Sequence, residues 1–157
     1  MESLWNWIYD LGISATVRES SFAFPVLECI HLYSMVFLIG IVALFDLRLM
    51  GVSLEDQPLS HYSKLVRRWV WLPLSVNTIT GTLLFMSKPM EYSANLAFVV
   101  KMIFLFLGVA YHAIVVNKSD RWNNLAKLPI GAGLLGGVSL IFWLGILASS
   151  RWIAYVI

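Results

Sequence analysis

Long apolar stretches alternate with short polar segments along this chain, and four stretches are long enough to cross a bilayer. A membrane helix needs about 20 mainly apolar residues. The predicted spans are, in chain order, about 22–49, 69–87, 94–117 and 130–153. Pro73 is expected to kink the second span. Short or moderate loops join the spans, so the pattern predicts an all-α fold: a four-transmembrane-helix antiparallel bundle in a single integral membrane domain, residues 1–157.

The first residues follow a different pattern, in which apolar side chains recur at helical spacing. The apolar stripe consists of Leu4, Trp5, Ile8 and Leu11. Polar residues occupy the other positions, and tryptophan is suited to the headgroup region. This pattern predicts an N-terminal amphipathic interfacial helix within residues 1–19. A cap on the end of the bundle is the alternative.

The composition narrows the class of protein. Hydrophobic residues make up 59% of the chain and charged residues 13%, about half the charged share of a soluble domain. No lysine- or arginine-rich run indicates a nucleic-acid partner. Cys29 is the single cysteine, which excludes an internal disulfide and a cysteine-based zinc or iron–sulfur site. Motifs for phosphate binding or hydrolysis are absent, so the sequence does not support hydrolytic chemistry. Whether the protein is an enzyme of another kind stays open.

The basic residues predict an orientation. The first and third loops carry Arg48, Lys64, Arg67, Arg68, Lys118, Arg121 and Lys127. The opposite side carries Arg18, Lys88 and Arg151. Because basic loops stay in the cytoplasm, we predict a multi-pass protein of the bacterial inner (cytoplasmic) membrane with both termini outside. The N-terminus lacks the features of a cleavable signal peptide, so the first span is expected to direct insertion.

Ionisable residues within the spans are the strongest functional signal. His31 precedes Arg48, and Lys101 precedes Lys118, by the same number of residues, which places both about 25 Å from the cytoplasmic boundary. Glu28 lies one turn further out. An ionisable side chain inside a membrane is costly and is by default a functional-site hypothesis. We therefore predict a buried polar cluster of Glu28, His31 and Lys101 in the outer half. A purely structural Glu28–Lys101 ion pair is the alternative.

The histidines suggest cofactor sites at two levels. His112 lies about 9 Å from the cytoplasmic boundary, about 16 Å from the level of His31, so these two histidines are too far apart for one haem. An outer site would use His31 with Met102, and an inner site would pair His112 with His61; both combinations are known haem ligands. Two further residues are candidates to contact the haem. Arg151 would pair with a propionate, and Trp143, at about the depth of His31, would pack on a ring.

Two other groups of residues are interpreted as structural. Asp46 and Arg48, with Arg67 and Arg68 nearby, are expected to form an interfacial charge network. Ala132 and Gly136 lie four apart in the fourth span, a spacing that lets membrane helices approach closely. Packing within the bundle is the first interpretation of this pair. A contact in a homo-oligomer or a larger membrane complex is the alternative.

Several motifs resemble those of one protein family. They are ExxH at Glu28 and His31, DLRLMG at 46–51, the lysine at Lys101 and RWIAY at 151–155. Together they resemble a bacterial family of uncharacterised four-helix integral membrane proteins, which implies a fold and no established activity. The placement of histidines is also loosely similar to that of four-helix membrane b-type cytochromes. That resemblance implies haem, although three histidines are fewer than the four that two bis-histidine haems need.

Three functions follow as hypotheses. The first is a membrane redox protein that binds haem b or another metal through His31 and His112 and exchanges electrons with a quinone or a partner. The second is a proton or solute pathway, or a sensor, built on Glu28, His31 and Lys101. The third is a non-enzymatic subunit of a larger membrane complex. In each case the lipid bilayer is the expected surrounding partner.

Overall fold

The computed structural model describes residues 2–52, 56–122 and 128–156. Within these ranges the chain forms helices and turns, with no β-strand. The helices are α1 Glu2–Tyr9, α2 Gly12–Glu19, α3 Ala23–Met50, α4 Leu59–Trp69, α5 Trp71–Ser87, α6 Pro89–Ala94, α7 Leu96–Ser119, a 3₁₀ turn Asp120–Trp122, and α8 Ile130–Val156. Lys127, one of the basic residues used to predict the orientation, lies outside the described residues.

Four helical segments are long and apolar enough to span a membrane. They are Ala23–Met50, Leu59–Ser87, Leu96–Trp122 and Gly131–Ile153. The all-α bundle and its multi-pass membrane character are therefore confirmed. In the bundle α3 packs against α4, α5 and α8, and α7 packs against α8. We call the half that holds the start of α3, the end of α5, the start of α7 and the end of α8 the terminal half, and the opposite half the loop half.

The second span begins about ten residues earlier than the sequence predicted. Its first part, α4, has a polar face with His61, so a hydropathy pattern alone places this segment in a loop. The kink lies at Val70, between α4 and α5. Because Pro73 has no N–H and its ring crowds the carbonyl four residues earlier, the break falls before the proline rather than at it.

The N-terminal segment forms two short helices rather than one. The helices α1 and α2 meet at Asp10 and Leu11 and pack against α3, α5 and α6 at the terminal end of the bundle. The buried hydroxyl of Ser14 donates to the Ile8 carbonyl at 2.7 Å, which joins the two helices. These contacts are those of a cap on the bundle. Placement at the membrane interface stays a prediction.

Small residues allow the close approach of α3 and α8. A Cβ atom at Gly136 would lie 2.7 Å from the backbone oxygen of Asp46, closer than real Cβ contacts. Ala132 has no exposed surface and belongs to the main core cluster. The interpretation of these two residues as packing within the bundle is therefore confirmed.

Side chains and one glycine fix the ends of the long helices. Ser20 Oγ accepts hydrogen bonds from the N–H groups of Phe22 (3.3 Å) and Ala23 (3.1 Å) at the start of α3. Gly51 ends α3 with a φ of 66°, the left-handed conformation that glycine adopts without strain. Asn95 Oδ1 accepts from the Ala97 N–H at 2.9 Å and caps α7. These caps fix where His31 and Lys101 lie along their helices.

Candidate functional site

A cavity of about 430 Å³ lies in the terminal half of the bundle, between α3, α5, α7 and the end of α8. Its polar lining comes from Glu28, His31, Asn77, Thr78, Thr82, Tyr92, Lys101 and Ser150. The rest is mainly apolar and comes from Leu32, Met35, Leu74, Gly81, Leu84, Phe85, Phe98, Met102, Leu105 and Ile153. The cavity is thus an apolar space with a few polar groups, the usual form of a small-molecule site.

His31 is held against α5 by a glycine and a hydroxyl group. A Cβ atom at Gly81 would lie 3.0 Å from the His31 Cε1 atom, so the glycine makes room for the ring. His31 Nδ1 lies 3.0 Å from Thr80 Oγ1. The Thr80 hydroxyl donates its hydrogen to the Val76 carbonyl at 2.8 Å, so Nδ1 donates to Thr80. The other ring nitrogen, Nε2, then carries a lone pair in the neutral imidazole.

Lys101 contacts that lone pair. Its Nζ atom lies 3.4 Å from His31 Nε2, so the ammonium group donates to the imidazole. In the part of the chain that the structure describes, no carboxylate lies within 4.0 Å of Lys101 Nζ. An ammonium group has three N–H donors, so this contact leaves two for other acceptors. The lysine is half-buried and lines the cavity.

Asn77 ties α5 to α3 beside this pair. Its side-chain amide donates to the His31 carbonyl oxygen at 3.0 Å and to Ser34 Oγ at 3.1 Å. By contrast, the hydroxyl groups of Thr78 and Thr82 donate to carbonyls of their own helix, each at 2.8 Å. Asn77 therefore holds the two helices in register, and the threonines satisfy their own polar atoms without a partner from another helix.

Glu28 lines the cavity, but its side chain is exposed. The prediction that Glu28 belongs to a buried polar cluster is therefore wrong. Glu28 makes no ion pair with Lys101 within 4.0 Å among the described residues. Tyr92 of α6 also lines the cavity. Burial raises the pKa of Tyr92, and the negative charges of Glu28 and Glu91 raise it further. The phenol thus stays protonated and can act as a donor at this end of the cavity.

A second polar group lies in the loop half. The His112 Nδ1 atom lies 4.0 Å from Asp46 Oδ1 and 3.5 Å from Ser139 Oγ. Its ring makes edge contacts with Phe45 (centroids 5.7 Å apart) and Trp143 (6.2 Å). Trp143 therefore lies at the level of His112 and not at the level of His31, contrary to the prediction. Asp46 is completely buried and not part of an interfacial charge network.

The two histidine levels are well separated. Asp46, beside His112, follows His31 by 15 residues on the same helix, which corresponds to about 22 Å. His61 is exposed on α4, where its ring contacts Tyr62. The structure therefore does not bring His112 and His61 together.

The remaining candidates divide between the cavity and the surface. Met102 lines the cavity beside Lys101. Arg151 is exposed, donates to the Tyr155 hydroxyl at 3.1 Å and is not among the cavity-lining residues. Arg67, expected near Asp46, instead pairs with Asp120 at 2.7 Å.

The arrangement fits a haem or metal poorly. Within the described ranges, no group of three His, Cys, Asp or Glu side chains is placed to hold a metal ion. To bind iron, His31 would have to give up either its contact with Lys101 or that with Thr80, because both ring nitrogens are engaged. A positive Lys101 in contact with the ligating nitrogen would also repel the iron. Of the two expected haem sites, the His112–His61 pair is not brought together, whereas His31 and Met102 both line the cavity.

The sequence interpretation missed three features that shape the cavity: Gly81, Asn77 as a cross-link, and Tyr92. Gly81 and Asn77 face α3 because of the rotation of α5 about its own axis. No sequence signal gives this rotation directly. Tyr92 lies in α6, a short helix between the second and third predicted spans. Pro89 at the start of α6 is a signal that could have indicated it.

Comparison with known proteins gives one match. A family model described as a family of unknown function, DUF6644, matches residues 12–156. No curated protein and no solved structure matches the chain. An uncharacterised family agrees with the resemblance drawn from the motifs, whereas the similarity to b-type cytochromes gains no support.

Proposed function

We propose that this chain, which belongs to the family of unknown function DUF6644, binds a small amphipathic molecule with an acidic head group in the terminal-half cavity. It would act in the membrane as a solute-binding protein of a transport or sensing system. The observation that carries the proposal is the position of Lys101. Its ammonium group lines an apolar cavity and has a neutral imidazole nitrogen, rather than a carboxylate, as its described partner.

The charge of Lys101 favours an acidic head group. A buried ammonium group without a counter-ion is costly, and hydrogen bonds between two charged groups are about twice as strong as neutral ones. A bound carboxylate would neutralise Lys101 and accept its remaining N–H donors. Tyr92 supplies another donor on the cavity wall. Glu28 would disfavour a second negative charge on the ligand, so a monoanion fits best.

The shape and lining favour an apolar tail on the ligand. Small-molecule pockets usually measure about 300–1,000 Å³, and this cavity, at about 430 Å³, falls near the small end. Its walls are mainly leucine, methionine and phenylalanine side chains. A tail of about eight carbons would bury apolar surface worth roughly 0.8 kcal/mol per CH₂ group.

The redox hypothesis has less support. Both nitrogens of His31 are engaged, and the other proposed ligand pair is not assembled. A quinone could still use its carbonyl oxygen to accept from Lys101, but it carries no charge to balance the ammonium group. The basic residues of the sequence support a cytoplasmic-membrane location with both termini outside, which would open the cavity toward the outer half of the bilayer.

Octanoate and octanol provide a test, because they share a tail length and differ in the acid group. Binding is measured by isothermal titration calorimetry on protein in lipid nanodiscs, with empty nanodiscs subtracted. Octanoate is expected to bind at least about tenfold more tightly than octanol, because a charged hydrogen bond contributes about 1.5–3 kcal/mol. The variant Lys101→Met should remove this preference.

Lys88→Met is the matched control, because Lys88 pairs with Glu91 at 3.0 Å and does not line the cavity. It should leave octanoate binding unchanged. Equal affinity for octanoate and octanol, or an unchanged preference in Lys101→Met, would refute the proposal. An absorption spectrum of protein purified from haem-replete cells tests the alternative function, haem binding. A Soret band that is lost in His31→Ala would favour haem.

A further inference from the structure

Four buried side chains in the loop half form a polar cluster that the proposed ligand site does not use. Asp46 comes from α3, His112 from α7, and Ser139 and Trp143 from α8. Their exposed fractions are 0%, 5%, 0% and 2%. Within the described ranges, four of their atoms have no hydrogen-bond partner: Asp46 Oδ1 and Oδ2, His112 Nε2 and Trp143 Nε1. Such a group of orphaned polar atoms is uncommon in a packed core.

An ionised Asp46 would be hard to accommodate there. Burying a carboxylate that has neither hydrogen bonds nor a counter-ion costs so much that such groups normally take up a proton instead. The nearby arginines are engaged elsewhere. Arg48 Nε donates to the Gln57 carbonyl at 3.0 Å, and Arg67 donates to the Val116 carbonyl at 3.0 Å and pairs with Asp120. No described arginine or lysine therefore balances the charge of Asp46 within 4.0 Å.

We propose that Asp46 and His112 together hold one proton and form a proton-binding site in the loop half of the bundle. His112 Nδ1 is the basic atom nearest the carboxyl group, 4.0 Å from Asp46 Oδ1. With one proton the pair is neutral, whether the proton is on the carboxyl group or on the imidazole. This removes the cost of an unbalanced charge. Ionisable residues that pair with one another inside a membrane mark several kinds of functional site, proton relays among them.

The other groups around Asp46 do not supply this proton. From α7, Tyr111 also faces the carboxyl group, but its hydroxyl donates to the Leu135 carbonyl at 3.2 Å. From α8, the Ser139 hydroxyl lies beside the His112 ring, with its Oγ atom 3.5 Å from Nδ1. The charged residue of α4 that is directed toward the bundle, Arg67, reaches Val116 and Asp120. The Asp46–His112 pair is therefore the titratable unit of this cluster.

Proton release on unfolding provides a direct test. At pH 8 an unfolded aspartate is ionised and an unfolded histidine is mostly neutral. If the folded pair holds a proton, unfolding must release about one proton per molecule from this site. The protein, in mixed micelles, is unfolded with SDS in weakly buffered solution, and a pH-indicator dye reports the protons released.

The expected result is that Asp46→Asn releases about one proton fewer than the unmodified protein. The asparagine side chain does not titrate, and the buried His112 beside it would then be neutral. Asp10→Asn is the matched control, because Asp10 is exposed at the end of α1, and it should leave the release unchanged. If Asp46→Asn does not fold, Asp46→Leu gives the same comparison with an apolar side chain. Equal proton release by the unmodified protein and the folded Asp46 variant would overturn the proposal.

Discussion

The Nζ atom of Lys101 lies 3.4 Å from the Nε2 atom of His31, across the terminal half of the bundle. Two basic side chains are thus neighbours in a cavity with mainly apolar walls. The Thr80 hydroxyl on the other side of the ring fixes which nitrogen faces the lysine. Under the proposed function this relationship favours a ligand that accepts hydrogen bonds, because among the described residues His31 is the acceptor placed at the ammonium group.

Gly81 should be essential for the position of His31. A methyl group at this position would meet the His31 ring at 3.0 Å, and a valine would meet it more severely. We expect Gly81→Val to displace the ring and weaken octanoate binding at least about tenfold, since a contact worth about 1.4 kcal/mol changes affinity by that factor. Calorimetry in nanodiscs measures the effect. Gly40→Ala, with nothing within 4 Å of its added Cβ atom, is the control; equal binding by both variants would contradict the assignment.

Gly136 should be essential for the contact between α3 and α8. A Cβ atom there would lie 2.7 Å from the Asp46 carbonyl oxygen, which belongs to the backbone and cannot rotate away. We expect Gly136→Ala to lower the free energy of unfolding in SDS by about 1–3 kcal/mol, the usual cost of overpacking. The neighbouring Gly137→Ala has nothing within 4 Å of its Cβ atom and should not destabilise the protein. If Gly137→Ala lowers the free energy of unfolding as much as Gly136→Ala does, the effect is not specific to the contact between α3 and α8.

Asn77 should stabilise the pairing of α3 and α5. Its amide donates to both the His31 carbonyl and Ser34 Oγ. Asn77→Leu is expected to lower the free energy of unfolding by about 1 kcal/mol, since hydrogen bonds between membrane helices contribute about 0.6 kcal/mol each on average. The control is Thr78→Val, because the Thr78 hydroxyl bonds only its own helix. Unfolding in SDS, followed by tryptophan fluorescence, measures both, and an effect of Thr78→Val as large as that of Asn77→Leu would argue against the cross-link.

The sequence predicted the spans because a membrane helix is recognisable from local composition alone. It also placed His31 and Lys101 at one level, since the rise per residue converts chain position into depth. The same counting failed for Trp143, which packs on His112, because helix tilt and the reach of a large side chain are set by neighbouring helices. The hydropathy pattern missed α4 because a helix with a polar face has no continuous apolar run.

Asp46 shows a further limit of reading charges from sequence. Its position two residues before Arg48 suggested an interfacial network, yet the two side chains lie on different faces of α3. Asp46 faces α7 and α8, whereas Arg48 reaches the Gln57 carbonyl. Which face is buried depends on the close approach that Gly136 allows. That contact lies between residues far apart in the chain, so local pattern could not reveal it.

Reversal of the charge at Lys101 tests whether this side chain selects the acidic head group of the ligand. In the Lys101→Glu variant the cavity presents a carboxylate in place of the ammonium group that contacts His31 Nε2. Affinities for octanoate and for octylamine, which carries the opposite charge at pH 7, are measured by calorimetry in nanodiscs. The proposed role of Lys101 predicts that the unmodified protein prefers octanoate and that Lys101→Glu prefers octylamine. The same order of preference in both proteins would contradict it.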